Sequence, residues 1–324
     1  MGKKVILCEP NGFCAGVDRA VKIVDLALEA YGPPIYVNHE IVHNQFVVAD
    51  LAGKGAIFVD DLEEVPEGAR LIYSAHGVSP QVRVEAKGRK LLELDATCPL
   101  VTKVHNEAVR FARKGYHIFL IGHADHVEVV GTYAEVPEHI TIVEPHRGAA
   151  LHAHIRGMVD PPTDQLIYLT QTTLNADDCL AVVASLKERF PTLVGPPQED
   201  ICYATTNRQN ATKIVAAKAD YFVVVGSPTS SNSKRLVEVA RESGCPASLY
   251  PSTAELAGAD LSSYSCIGLT AGASTPEVLI REVIDCLAEL GFPELETYKH
   301  VDETLEFTIP YHFRKDLENK GIAV

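Results

Sequence analysis

No two of the eight cysteines in this 324-residue chain form a Cys-x-x-Cys pair. That absence argues against zinc ribbons and thioredoxin-type sites, and eight cysteines are too sparse for a disulfide scaffold in a chain of this length. Basic residues are also scarce: 29 Lys and Arg stand against 43 Asp and Glu, for a net charge of −14. Such a field disfavours nucleic acid as a partner. No apolar run approaches the ~20 residues needed to span a bilayer. Nor is there a secretory pattern, because the run after Lys3 and Lys4 covers only residues 5–8 and ends at Glu9. Gly-x-Gly-x-x-Gly and Walker A are both missing, and the stretch 226–234 lacks the Gly-Lys-Ser/Thr ending, so a nucleotide is not the obvious ligand. What remains is an ordinary globular composition, 46% apolar and 22% charged, which excludes disorder, collagen and coiled coil as overall classes. The expectation is a soluble, cytoplasmic protein with reduced thiols and without membrane or nucleic-acid partners. The length suggests about two domains, or one large one.

Within this chain three cysteines recur in one setting. Cys14 opens a helix-period segment with Val17, Val21, Val24 and Leu28; Cys98 opens one with Val101, Val104, Ala108 and Phe111; Cys202 opens one with Ala211, Ile214 and Val215. Spacings near three, four and seven place such side chains on one buried face. Apolar runs precede the cysteines at 5–7, 91–94 and 193–194, and strands follow the helices at 35–37, 118–121 and 222–225. The loops after those strands hold His39 and His43, then His123, His126 and Glu128, then Ser230, Ser231 and Asn232. His43, His126 and Ser231 lie 29, 28 and 29 residues beyond their cysteines. Later strands at 71–73, 166–169 and 266–269 run into Ser74 and His76, into Gln171, Thr172 and Thr173, and into Thr270 and Ser274. Minor strands fit at 57–59, 140–143 and 247–250.

Short apolar strands alternating with helices predict parallel βαβ sheets. The expected fold is α/β: a pseudo-threefold trefoil of three similar lobes with small parallel sheets around a central site. The lobes are 1–97, 98–199 and 200–287, with the N-terminal strand able to join the third. Residues 288–324 form a tail that packs on the lobes or closes over the site, with one strand-like run at 305–309. Ligands of open α/β sheets sit beyond the carboxyl ends of the strands, where all these cysteines and loops lie.

Three thiolates at helix N-termini can hold zinc or an iron–sulfur cluster. Structural zinc wants four ligands, whereas three suit a cubane with one iron lacking a protein ligand, and an open metal position can act as a Lewis acid. His43, His76, His126, Thr172, Ser230, Ser231, Asn232 and Ser274 are donors that can satisfy a phosphate or diphosphate without lysine. Glu128, two residues after His126, is the one well-placed carboxylate; burial and nearby negative charge would raise its pKa and fit it for general acid work. His39 and His123 read as supporting or structural residues. His105, His117, His139, His146, His152, His154, His300 and His312 have no repeat partner and read as surface or packing residues. Cys8, Cys179, Cys245, Cys266 and Cys286 read as small buried hydrophobes.

The segments 12–19 (Gly-Phe-Cys-Ala-Gly-Val-Asp-Arg), 95–101 (Asp-Ala-Thr-Cys-Pro-Leu-Val) and 200–209 (Asp-Ile-Cys-Tyr-Ala-Thr-Thr-Asn-Arg-Gln) carry a resemblance. So do Ser74-Ala75-His76-Gly77-Val78, Gln171-Thr172-Thr173, Ser230-Ser231-Asn232-Ser233 and Thr270-Ala271-Gly272-Ala273-Ser274. With these segments the chain resembles the hydroxymethylbutenyl diphosphate reductases, the last enzymes of the methylerythritol phosphate route to isoprenoids, over almost its whole length. The resemblance implies a trefoil around a 4Fe–4S cluster with an open iron that takes the substrate's hydroxyl. Cys14, Cys98 and Cys202 would be its ligands. His43, His76, Ser230, Asn232 and Ser274 would hold the diphosphate, with Ser231 adjoining. Glu128 would supply protons, with His126 and Thr172 orienting the hydroxyl and its water. Ferredoxin or flavodoxin would supply electrons. The chain departs from the family at Val127, where proline is usual; valine restores an N–H and frees φ. The rival readings are a quinolinate-synthase-like condensing enzyme, which needs no electrons, and a non-catalytic iron–sulfur sensor.

Overall fold

The computed structural model describes residues 2–323 and is an α/β protein with twelve strands. They are β1 (Lys4–Glu9), β2 (Ile35–Asn38), β3 (Ala56–Val59), β4 (Arg70–Tyr73), β5 (Leu92–Asp95), β6 (His117–Ile121), β7 (Ile140–Val143), β8 (Leu166–Thr170), β9 (Tyr221–Val225), β10 (Ala247–Tyr250), β11 (Cys266–Ala271) and β12 (Glu294–Lys299). They form three parallel sheets, ordered β10-β9-β11-β1-β12, β3-β2-β4-β5 and β7-β6-β8. No helix among the described residues is long and apolar enough to cross a membrane.

The chain divides into two compact units. One takes in the residues up to Asp18, Val42–Asp50 and Tyr203–Glu306, and holds the five-stranded sheet. Both faces of that sheet are covered, so its strands read as nearly continuous apolar runs. Val5, Leu7, Val223, Val225, Ile267 and Leu269 pack with Leu279, Ile280, Val283 and Leu287 of the helix Glu277–Glu289. Ile6, Cys8, Phe222 and Val224 face the other way, onto Ala211 and Val215 of the helix Tyr203–Ala216 and Leu236 and Ala240 of the helix Ser231–Glu242. The N-terminal strand β1 lies between β11 and β12.

The other unit takes in Arg19–Ile41, Leu51–Cys202 and the residues from Phe307 on. Its three-stranded sheet buries Ile118 and Leu120 against Val104, Ala108 and Phe111 of the helix Pro99–Ala112, as the spacing predicts. Phe119 and Ile121 pack on the opposite side with Val182 and Leu186 of the helix Ala176–Arg189. In the four-stranded sheet Leu71 and Tyr73 pack with Val65, Ala86 and Leu91.

Four expectations need correction. The run 305–309 is not a strand; Leu305 is exposed, and the chain stays irregular until the helix Tyr311–Asn319. The strand of the C-terminal segment is β12, an exposed edge whose sequence Glu-Leu-Glu-Thr-Tyr-Lys carries almost no apolar signal. Residues 193–194 give only an isolated bridge between Val194 and Ile167. The helix Ala15–Tyr31 buries Ala20, Ile23, Val24 and Ala27, while Val17, Val21 and Leu28 are only half-buried. That helix is apolar around much of its circumference, and its two buried alanines, Ala20 and Ala27, mark the side that packs closely. Ile214 is exposed because the buried arc of its helix includes polar Thr205, Arg208, Gln209 and Thr212, which an apolar periodicity cannot register.

Candidate active site

Each of the three repeat cysteines stands at the start of a long helix. Cys14 precedes the helix Ala15–Tyr31, Cys98 is the N-cap of Pro99–Ala112, and Cys202 precedes Tyr203–Ala216. Pro99 suits the first helical position, where its missing N–H has no partner to lose. The sequence before Cys14 needs glycine: Gly12 has φ +64°, and a Cβ there would lie 2.8 Å from Ile280 Cδ1.

In the second unit the loops after β4, β6 and β8 meet the Cys98 and Cys202 segments. The Cys98 N–H donates to Ala75 O at 3.0 Å, which ties that cysteine to the loop carrying His76. The rings of His76 and His126 lie edge to face, with centroids 6.2 Å apart. His126 caps the short helix Val127–Tyr133 by accepting the Glu128 N–H at Nδ1, 3.2 Å away. Val127 is therefore the first helical residue, the position at which proline fits without loss, so the departure from the family pattern leaves the turn in place.

Glu128 is 3% exposed. Its Oε1 accepts the Thr172 N–H at 2.6 Å, and its Oε2 accepts the Thr172 hydroxyl at 2.9 Å. Burial pushes the Glu128 carboxyl up to about 7; the two bonds from Thr172 oppose the rise, and the charge of Asp200 adds to it. Thr172 O in turn accepts the Cys202 N–H at 3.1 Å. Cys98, His76, His126, Glu128, Thr172 and Cys202 thus form one connected set.

In the first unit the loops after β9 and β11 gather the remaining candidates. Ser230 caps the helix Ser231–Glu242 by accepting the Ser233 N–H at 3.3 Å. Ser231 and Asn232 occupy its first two positions. The Ser231 hydroxyl and both polar atoms of the Asn232 amide are buried without a hydrogen-bond partner among the described residues. Unpaired buried polar atoms cost about 1–3 kcal/mol each, and a helix N-terminus favours an anion. Ser233 is wedged between two loops: a Cβ on Gly272 would lie 2.0 Å from its Oγ, and one on Gly226 2.3 Å. Ser274 donates to His43 O at 3.0 Å, and the Cys14 N–H donates to Ala273 O at 3.2 Å. Cys14, His43, Ser230, Ser231, Asn232 and Ser274 thereby belong to one cluster of loops.

The donor chemistry fits an iron–sulfur cluster. None of the eight cysteines is in a disulfide. Cys14, Cys98 and Cys202 are only half-buried and sit at helix N-termini, where free backbone N–H groups favour a negatively charged group such as a thiolate-ligated cluster. The other five pack in or against the apolar cores or beside them. Burial raises the thiols of Cys8, Cys266 and Cys286, pushes Cys179 up to about 12 and Cys245 up to about 11. Among the described residues, no group of three or more His, Cys, Asp and Glu is placed to hold a single metal ion.

His39 and His123 turn to carboxylates: His39 pairs with Asp60 at 2.7 Å and His123 with Glu144 at 3.2 Å. His105 and His117 are buried, bonded to Glu135 and Thr141. Arg19, Lys103 and Arg208, to which the sequence motifs assign no role, each donate to two or three backbone carbonyls. The available signal is positional: each lies five or six residues beyond a repeat cysteine.

The LytB protein family model matches residues 5–288. A Streptomyces avermitilis protein named 4-hydroxy-3-methylbut-2-enyl diphosphate reductase is 50% identical over 324 residues, 100% of this chain and 94% of that protein. A Mycolicibacterium gilvum protein of the same name is 52% identical over 314 residues, 97% of this chain and 92% of its own. A solved structure from Plasmodium falciparum, described as the E-1-hydroxy-2-methyl-but-2-enyl-4-diphosphate reductase, superposes with a TM-score of 0.92 at 40% identity, covering 99% of this chain and 100% of that one.

Proposed function

The chain belongs to the LytB protein family, and on that premise we propose that it reduces 4-hydroxy-3-methylbut-2-enyl diphosphate to isopentenyl and dimethylallyl diphosphate. The reaction consumes two electrons and two protons; the allylic C–O bond breaks, a C–H bond forms at either end of the allyl fragment, and the oxygen leaves as water. Cys14, Cys98 and Cys202 would hold one 4Fe–4S cluster. When bound, such a cluster supplies one-electron reduction and an iron open to a Lewis-basic oxygen.

The chain's own residues do the rest. The N-terminus of the helix Ser231–Glu242, with Ser230, Ser231 and Asn232, binds the diphosphate together with His43, His76 and Ser274. The unpaired polar atoms of Ser231 and Asn232 support this, because a phosphate oxygen accepts from the serine hydroxyl and the Asn232 amide N–H. These donors are neutral or capable of protonation, so they take up the anion in spite of the chain's net charge of −14. Glu128 holds the transferable proton. With its carboxyl pushed up to about 7, it is protonated often enough near neutrality to act as an acid. Thr172 Oγ1, 2.9 Å from Glu128 Oε2, passes that proton and orients the leaving oxygen, while His126 holds the turn that aims Glu128.

The buried Glu128–Thr172 pair, linked to Cys202 through Thr172 O, is the observation that carries this reading. A reduced ferredoxin or flavodoxin is the proposed electron donor, and a reducing cytoplasm the proposed compartment. The test is anaerobic turnover with and without a reductant. Allylic diphosphate should be consumed only with reductant, at two electrons per product. Turnover without electrons would favour the condensing-enzyme reading, and cluster oxidation-state changes with no product would favour a sensor.

A further inference from the structure

Three cations, two buried and one half-buried, repeat the threefold pattern. Arg19 and Lys103 each lie five residues after a repeat cysteine, and Arg208 lies six after. Each is therefore one to two turns into the helix its cysteine opens. Each reaches the backbone leading to a different cysteine. Arg19 donates to Thr97 O at 3.0 Å and Asp95 O at 3.4 Å, just before Cys98. Lys103 donates to Gln198 O at 2.6 Å, Glu199 O at 3.1 Å and Asp200 Oδ1 at 2.9 Å, just before Cys202. Arg208 donates to Gly12 O at 2.9 Å, just before Cys14. The first helix holds the second approach, the second helix the third, and the third helix the first.

Their surroundings are those of struts. Arg19 is 8% exposed and Arg208 0%, and buried cations persist only where hydrogen bonds replace their water. Further acceptors serve two of them: Thr308 O for Arg19 at 2.8 Å, and Ala204 O at 3.0 Å and Glu303 Oε1 at 3.1 Å for Arg208, whose Nε alone is left without a partner among the described residues. The Lys103 contact extends toward the acid pair, because Asp200 Oδ2 accepts the Thr170 N–H at 3.0 Å, two residues before Thr172. Burial pulls the Arg19 guanidinium below its ordinary value, and the charges of Asp95 and Cys98 act against that.

We infer that Arg19, Lys103 and Arg208 are positioning residues that fix the spacing of the three cysteines, each strapping its own cysteine's helix to the approach of the next. The inference rests on the reading of Cys14, Cys98 and Cys202 as cluster ligands.

Lys103 is the strut to test, because its side chain is 23% exposed while Arg208 is fully enclosed. Lys103→Met alone would strand the buried Asp200 carboxylate, so the double variant Lys103→Met/Asp200→Asn removes both charges together. In anaerobically prepared holoenzyme it should lose iron to a chelator about 10–100-fold faster than the parent, as expected when partners that orient metal ligands are removed. The visible cluster spectrum should change as well. kcat should fall while KM stays within about twofold, because diphosphate binding lies on other loops. Lys103→Arg, which keeps charge and donors, should restore most of the iron retention. A double variant that keeps its iron as long as the parent, or a Lys103→Arg chain no better than the double variant, overturns the inference. Cys98→Ser, run beside them, separates the two readings: if it keeps full iron, the ligand assignment itself has failed.

Discussion

Glu128→Gln should cut turnover by roughly 10²–10⁴ and leave both iron content and substrate affinity near those of the parent chain. The amide has the shape of the carboxyl. Its oxygen can still accept the Thr172 N–H now bonded at 2.6 Å, and its NH2 can donate to the Thr172 hydroxyl now 2.9 Å from Oε2. What disappears is a proton that can be given away. The parent enzyme should show the same group in its pH profile. The carboxyl is pushed up to about 7 chiefly by burial, and an acid must be protonated to donate. Turnover should therefore be flat below about pH 7 and fall about tenfold per unit above it; bound diphosphate moves the midpoint higher, because added negative charge favours the protonated form. In Glu128→Gln that descending limb should be gone. Steady-state rates from pH 5.5 to 9, with iron assayed on the same samples, check both statements. Near-parental turnover in the amide variant removes Glu128 as the proton source.

The second large effect concerns the thiols. Cys14→Ser, Cys98→Ser and Cys202→Ser should each lose most of their iron, and turnover with it, because an alcohol is a far weaker acid and a poorer iron ligand than a thiol. Cys179→Ser and Cys245→Ser should keep both. Their thiols are pushed up to about 12 and about 11 by burial, which makes them poor ligands and marks them as packing atoms. A hydroxyl at position 245 inherits the acceptor Ala219 O that Cys245 Sγ now uses at 3.4 Å, so its effect on stability should be small. Iron and sulfide assays on the five variants decide the matter. An essential Cys179 or Cys245 would contradict the threefold argument.

Much of this is legible in the sequence alone, for a physical reason. Parallel strands covered on both faces are short apolar runs, so β1, β6, β9 and β11 announce themselves, and the polar residues that follow them mark the ligand end of the sheet. The cysteine-helix-strand recurrence also survives in the sequence, because each repeat meets the same local demands.

Three kinds of feature do not survive. Edge strand β12 is exposed and polar, and joins β1 through its backbone and a surface Lys4–Glu296 pair, so no apolar periodicity reveals it, while the apolar residues near 305–309 imitate a strand they do not form. Helix faces are ambiguous where the apolar arc is wide, as in Ala15–Tyr31, or where polar side chains are buried, as Thr205, Arg208 and Thr212 are. The struts are the third kind. Arg19 meets Thr97 across 78 positions, Lys103 meets Gln198 across 95, and Arg208 meets Gly12 across 196. Their acceptors are mostly backbone carbonyls, which every residue carries, so side-chain identity gives no hint of the pairing.

The central claim is that three cysteines hold a cluster with one iron left for the substrate. Mössbauer spectroscopy of iron-57-enriched protein, prepared anaerobically and recorded before and after adding the allylic diphosphate, addresses it most directly. The account predicts a 4Fe–4S signal in which one iron differs from the other three, and in which that iron alone shifts when substrate is added. Four equivalent irons that ignore the substrate, or a cluster signal that survives in Cys14→Ser unchanged, would contradict it.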